Sequence, residues 1–260
     1  MQQSKMTIME WHLEKLIDSV ELPEPKLPQW DCQYDGGPDL CANYIRDYWK
    51  IPRGRINDLT KTIEDHGVVV IPLDLGHLDG LSVFSKSGIP IIFLNKYRSG
   101  DRHRFNLAHE LGHLIMHFGQ KIDDKRDIEG EEHLFASELL VPAKEIKPHL
   151  VRVSIEKLAE MKKYWKVSMQ AILAKSYKQL SMLTINQYHY LWKQMSSLGF
   201  RKSEPIFIPV ERARLIREII DLHLNDLEYS KTELSSLLKV TEKEFEEMYF
   251  DDGNTLRVLD

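Results

Sequence analysis

An α+β fold, mainly helical with one small three-stranded sheet, is predicted for this chain on three observations. Apolar residues recur at helical spacing near the start, a β-branched patch breaks that rhythm between residues 68 and 94, and helical spacing then holds almost unbroken from Arg102 to Phe250. In order, residues 7–20 set Ile8, Trp11, Leu13, Leu16, Ile17 and Val20 at near-helical intervals, which predicts an amphipathic helix. Residues 22–37 carry Pro23, Pro25, Pro28, Gly36 and Gly37 and read as an extended, wrapping arm. A second helix is expected over residues 38–50, with Leu40, Tyr44, Ile45, Tyr48 and Trp49 on one face, and a third over 57–65, stopped by Gly67. Residues 68–71, 81–84 and 89–94 read as three strands, the last two joined by a hairpin-like turn over 85–88. A long helix follows over 102–118. The chain thus divides into a helix and arm (1–37), a central domain (38–200) and a helical, acidic C-terminal region (201–260).

A chain of 260 residues with 42% hydrophobic and 29% charged content can bury a substantial core, which excludes disorder over its whole length. Residues 1–20 lack an apolar segment followed by a small-residue cleavage site, so no signal peptide is expected. The longest apolar run, residues 89–94, falls far short of the roughly 20 residues that cross a bilayer, so no membrane association is expected. Cys32 and Cys41 cannot build a disulfide framework and suit a reducing compartment, which makes a cytoplasmic location the expectation. A net charge of −5 gives no general attraction to nucleic acid. Charge is nevertheless uneven. Residues 144–178 carry Lys147, Arg152, Lys157, Lys162, Lys163, Lys166 and Lys175 against Glu145, Glu156 and Glu160, whereas the tail from Asp226 is acidic. Solvated helix faces account for this most simply; a phosphate-binding groove that takes single-stranded DNA as an effector is the alternative.

The stretch from Phe105 to His117 carries the chemistry. His109, Glu110 and His113 form a His-Glu-x-x-His motif. Four apart on a helix, the two imidazoles lie one turn apart on one face and can grip one metal ion. Glu110, next to the first of them, is the candidate catalytic residue. Zinc lowers the pKa of a bound water toward about 7, and an adjacent carboxylate can take its proton during attack on a carbonyl. Five residues with three fixed positions also arise by chance, and a buried helix with two hydrogen-bonded histidines is the plain alternative. The apolar flank of Leu107, Leu111, Leu114 and Ile115 argues instead for a helix that carries polar ligands into a core-lined cleft. Gly112, which costs a helix roughly 1 kcal/mol against Ala, suits a close approach of backbone or substrate. His117, one turn beyond His113, fits a supporting or surface role better than ligation.

A tetrahedral catalytic zinc takes three protein ligands and keeps one position open. Asp123, Asp124, Asp127, Glu129, Glu131, Glu132 and His133 lie downstream, on or just before a further helix whose Phe135, Leu139 and Leu140 pack inward. Spacings of three and four turn Glu129, Glu132 and His133 to one side, and composition leaves the choice among them open. Two imidazoles and a carboxylate favour Zn2+ over Mn2+.

Four segments together resemble the ImmA/IrrE family of bacterial metallo-endopeptidases: Leu78-Asp79-Gly80-Leu81-Ser82, Ile92-Phe93-Leu94-Asn95, Arg104 through His113, and Phe135-Ala136-Ser137-Glu138-Leu139-Leu140-Val141-Pro142. The resemblance covers roughly residues 39–201 and implies a zincin-like metallopeptidase with the sheet packed on the motif helix. It also implies that His109, His113 and Glu129 hold the metal and that Glu110 is the general base; His117, Glu132 and His133 are candidates for a supporting role beside them. This sequence departs from the family pattern in placing His133 where asparagine is usual and Glu132 where a small residue is usual. The strand at Gly80, Leu81 and Ser82 would be the edge on which an extended peptide pairs. The implied substrate is a helix-turn-helix transcriptional repressor encoded nearby, whose cleavage derepresses a mobile element, a stress response or a defence operon in a bacterial or phage setting.

A non-catalytic or DNA-binding regulator that keeps this fold is the competing reading. Residues 230–245 resemble the two short helices of a helix-turn-helix, but the second carries Glu242, Glu244, Glu246 and Glu247, which repel phosphate and fit packing or protein contact better. An intact Glu110 argues against an inactive enzyme. For regulation, a thiolate of Cys32 or Cys41 in the open metal position is one conjecture.

Overall fold

The computed structural model describes residues 2–20, 22–119 and 126–250. Helix α1 (Gln2–Ile17) begins and ends earlier than the expected 7–20. Its buried stripe is Met6, Met9, Leu13 and Leu16, one residue per turn, and Ile8 faces solvent. Residues 22–31 run without regular structure, as the prolines require, and are tied down by single hydrogen bonds. The Lys26 N–H donates to the His66 carbonyl at 2.9 Å and the Trp30 N–H to the Ile115 carbonyl at 3.1 Å. Helix α2 (Pro38–Tyr48) is entered through Pro38, whose missing N–H costs a first helical turn nothing. Its apolar residues split into two stripes rather than the single face expected. Cys41, Ile45 and Trp49 point inward, while Leu40, Tyr44 and Tyr48 lie outside on the adjacent stripe. Helix α3 (Leu59–Glu64) follows, with the Asp58 side chain accepting the Lys61 N–H as its cap.

Strands β1 (Val69–Leu73), β2 (Gly80–Phe84) and β3 (Pro90–Asn95) pair in the order β1-β3-β2, with β1 parallel and β2 antiparallel to β3. Residues alternate between two cores with the period of a strand: Val70, Ile92 and Leu94 face one, and Val69, Ile71, Ile91 and Phe93 face the other. Helix α4 (Gly100–Met116) packs on the first face against β2 and β3. Helix α5 (Ile128–Leu140) packs on α4 and α2, its N-terminus capped by Asp127, which accepts the Gly130 N–H. Short helices α6 (Ala143–Ile146), α7 (Ile155–Trp165) and α8 (Met169–Ala174) lead to α9 (Ile185–Ser197).

The helical rhythm expected to run on to Phe250 breaks at residues 204–214, which form an irregular strap. Three carboxylates pin it to helix N-termini, where free N–H groups and the helix dipole favour anions. Glu204 accepts the Met169 and Gln170 N–H groups at 2.7 and 3.0 Å. Glu211 accepts those of Leu59 and Thr60 at 2.8 and 3.1 Å and pairs with Arg104 of α4, which is 1% exposed. Glu64 accepts those of Arg214 and Leu215. Beyond the strap, α10 (Leu215–Asn225), α11 (Lys231–Leu237) and α12 (Glu242–Tyr249) join α1 on the second face of the sheet. Leu234, Leu238 and Phe245 are buried there, and His12 Nδ1 lies 2.7 Å from the Tyr249 hydroxyl. The basic stretch at 144–178 is not a continuous groove. Lys162 is buried in ion pairs with Asp101 and Glu204 at 2.6 and 3.0 Å, and Lys175 in one with Glu138 at 2.7 Å. Among the described residues no helix is long and apolar enough to cross a membrane.

Two measurements check the strap. Removing one partner of a buried ion pair strands the other, so Glu211→Ala should cost about 3–5 kcal/mol in urea unfolding; a loss under about 1 kcal/mol would contradict the pairing. Burial pushes the Glu64 carboxyl up to about 7 from its ordinary 4.5. Its protonated form therefore favours the fold, a contribution complete below about pH 4.5 and lost as the pH rises through 7. The stability difference between the wild type and Glu64→Gln should drift across that window and be flat outside it.

Candidate metal centre

Helix α4 buries Leu107, Leu111, Leu114 and Ile115 against the core and turns His109, Glu110, His113 and His117 toward α5 and a cleft. Gly112 decides how near α5 can come. A Cβ at that position would lie 3.1 Å from Phe135 Cδ1 and 3.5 Å from Glu132 Cγ, so the close approach that the glycine serves is that of α5. The crossing brings the ligand atoms of His109, His113, Glu129 and Glu132 within 4.8 Å of one another. His109 Nε2 lies 3.2 Å from Glu132 Oε2 and 3.6 Å from Glu129 Oε2, and His113 Nδ1 contacts Glu132 Oε1. The two carboxylates differ in setting: the Glu129 side chain is 74% exposed and that of Glu132 is 0% exposed.

The remaining candidates fall around this group. His117 is buried and faces carboxylates with both ring nitrogens, Nδ1 toward Glu132 at 2.6 Å and Nε2 toward Glu131 at 2.9 Å. Glu131 in turn accepts from Arg126 at 2.7 Å. His133 is exposed at the rim, its ring 5.0 Å from that of His109 and its Nδ1 2.7 Å from the Glu129 carbonyl. Asp127 caps α5, whereas Asp123 and Asp124 lie outside the described residues. Neither cysteine lines the cleft: Cys32 contacts Met116 through sulfur at 3.6 Å and Cys41 is buried. Neither thiol belongs to the ligand group, so a thiolate in the open metal position finds no support here.

The donor set fits a divalent ion. Two imidazoles and two carboxylates are the ligand types that such ions take, and the buried Glu132 Oε2 has no hydrogen-bond partner among the described residues. Burial lowers the pKa of His109, which favours the neutral imidazole that ligates. Burial alone would raise the Glu132 carboxyl, but the hydrogen bonds from His113 and His117 hold it below its ordinary value.

Glu110 is buried on the cleft side. The Ser82 hydroxyl donates to its Oε2 at 2.8 Å, and burial raises its pKa. Strand β2 touches it closely: a Cβ at Gly80 would lie 2.8 Å from Glu110 Cγ, so only glycine lets this strand approach. The cleft between β2 and α4, about 620 Å³, has Gly80, Leu81 and Ser82 along one wall and Phe105, Asn106, His109 and His113 along the other. At its mouth Asp79 holds Arg102 at 2.6 Å and also Arg98, a cluster for which the sequence offers no spacing signal.

Residues 63–177 match the Peptidase_M78 family model, described as the IrrE N-terminal-like domain. The chain carries an IrrE N-terminal-like domain. Comparison with curated proteins finds no match. The IrrE N-terminal-like segment opens at the end of α3 and closes just past α8, so it contains the sheet, α4, α5 and every residue of the ligand group. It supports a metallopeptidase family for that segment, and α1, the strap and α10–α12 lie outside it.

Because Phe135 is fully buried and cannot give way, Gly112→Val should overpack the crossing and lower stability by about 1–3 kcal/mol in a denaturant titration. A valine variant as stable as the wild type would mean that α5 is free to move away.

Proposed function

We propose that this chain is a zinc-dependent endopeptidase that cleaves a partner protein, a helix-turn-helix transcriptional repressor encoded nearby, and thereby derepresses a mobile-element, stress-response or defence operon in a bacterial or phage cytoplasm. The observation that carries the catalytic part is that one buried carboxylate, Glu110, lies between a metal-ligand group and the edge strand of the cleft. His109, His113 and Glu129 are the residues that would hold the ion, with Glu132 next to them. When bound, zinc would supply a water of lowered pKa and polarise a carbonyl.

The chain's own residues supply the rest. An extended segment of the substrate pairs with β2, whose outer edge has no partner strand among the described residues. Gly80 leaves the space that the Glu110 side chain occupies, so the strand that would pair with the substrate lies directly against that carboxylate. Ser82 holds Oε2 of Glu110 and so leaves Oε1 to accept a proton during attack and return it to the departing amine. An extended segment, rather than a folded surface, is the substrate that a narrow cleft with one strand for a wall admits. A repressor fits this role if it exposes a linker between its domains.

Glu110→Gln tests the proposal. Cleavage of the co-expressed neighbouring repressor should fall by about 10²–10⁴ or below detection, while bound zinc per chain stays at the wild-type level. Unchanged cleavage would remove Glu110 from the mechanism, and a repressor left intact by the wild type would remove the substrate assignment.

A further inference from the structure

We infer that Glu132 is itself a ligand of the ion, through Oε2, and is the principal carboxylate of the site, with Glu129 in the lesser role. This rests on the metal-centre reading above and goes beyond it, because the family pattern from which Glu129 was drawn has a small residue at position 132. Four observations carry it. The Glu132 side chain is 0% exposed, and an ionised carboxylate there requires compensation by a cation or by hydrogen-bond donors. Its Oε1 is committed to Nδ1 of His117 at 2.6 Å and to His113, yet its Oε2 has no hydrogen-bond partner. That free oxygen lies 3.2 Å from His109 Nε2 without hydrogen-bond alignment between them. Two atoms that ligate one tetrahedral ion at about 2.1 Å each lie roughly 3.4 Å apart, so this separation is that of neighbouring ligands.

The fourth observation concerns order before binding. Glu132 is fixed from behind by His117, which is fixed by Glu131, which is fixed by Arg126. Glu129 projects into solvent at 74% exposure, and no hydrogen bond among the described residues holds its carboxylate. A side chain already held in place loses less conformational entropy when it ligates than a free one does. Glu132 thus supplies the permanent carboxylate from the protein side, and Glu129 borders the position that exchanges with solvent. The competing role for Glu132 is positioning alone, in which its carboxylate orients His113 through Nδ1 and never touches the ion.

The test uses the full-length chain, with Zn2+ affinity measured by competition with a chromogenic chelator and ligation read from the visible d–d bands after Co2+ loading. Wild type, Glu132→Gln and Glu129→Gln are compared. Glu132→Ala is run alongside, so that a glutamine variant that fails to fold does not decide the result. The assignment expects the Glu132 variants to lose more than the ~10–100-fold in Zn2+ affinity that a supporting carboxylate costs, and to shift the Co2+ bands. It expects Glu129→Gln to lose less than the Glu132 variants. A Glu132 variant that keeps the wild-type Co2+ bands, whatever its affinity, makes Glu132 a positioning residue and overturns the assignment. So does a larger loss in Glu129→Gln. A wild-type chain that binds neither ion overturns the metal-centre reading as well, so the two failures are distinguishable.

Discussion

The site depends on how closely α5 can cross α4, and that distance is set at Gly112. With no side chain at this position, the ring of Phe135 and the stem of Glu132 pack directly onto the motif helix. The histidine face of α4 therefore meets the carboxylate face of α5 at ligand distance instead of a side-chain layer apart. The arrangement is electrostatically demanding. Glu129, Glu131 and Glu132 lie within one turn of helix, and one of them is fully withdrawn from water. An unpaired buried carboxylate is costly. The imidazoles of His113 and His117 and the guanidinium of Arg126 are the donors that offset this cost from the protein side, and a divalent cation among the ligand atoms would offset it from the other.

Part of what keeps α4 in place lies outside the segment that matches the family. Glu204, Glu211 and Glu64 each accept backbone N–H groups at a helix N-terminus far away in sequence, and together they stitch the strap onto α8, α3 and α10. Glu211 also meets Arg104, five residues before the first motif histidine, and Arg104 donates to the Ile56 carbonyl at 2.9 Å. The strap thus acts on the same helix that carries the chemistry. A buried guanidinium with a single carboxylate partner tolerates no loosening of that contact, because the charge would be left in an apolar setting.

The three strands, the motif helix and the helix after it were legible in the sequence: short apolar, β-branched runs mark the strands in residues 68–94, and a period of 3.6 runs through Leu107, Leu111 and Leu114. The motif histidines were legible for the same reason, since a spacing of four fixes one face. The choice between Glu129 and Glu132 was not. The two are three apart and both face α4, and which one is buried depends on the height at which α5 crosses. Periodicity also failed where two apolar stripes adjoin, as on α2, whose Tyr44 and Tyr48 stay outside. Lys162 and Lys175 look solvated in sequence because their partners, Asp101 and Glu138, are 61 and 37 residues away. The strap was hidden because its three anchors are ordinary glutamates with no local pattern.

The C-terminal helices cover the face of the sheet opposite the cleft. A sheet of three strands with one bare face would leave Val69, Ile71, Ile91 and Phe93 in water, and these are the residues that α1, α10, α11 and α12 cover. Phe245 and Leu234 turn inward to do so, which leaves the glutamates of α12 on the outer side. The helix-turn-helix-like pair is therefore used as a packing layer on the sheet. With α4 and α5 on the first face and these helices on the second, backbone hydrogen-bonding groups remain available on the outer edge of β2. Ser82 and Gly80 on that strand are the residues that touch Glu110. Covering the second face leaves the outer edge of β2 next to the buried Glu110 and the ligand group.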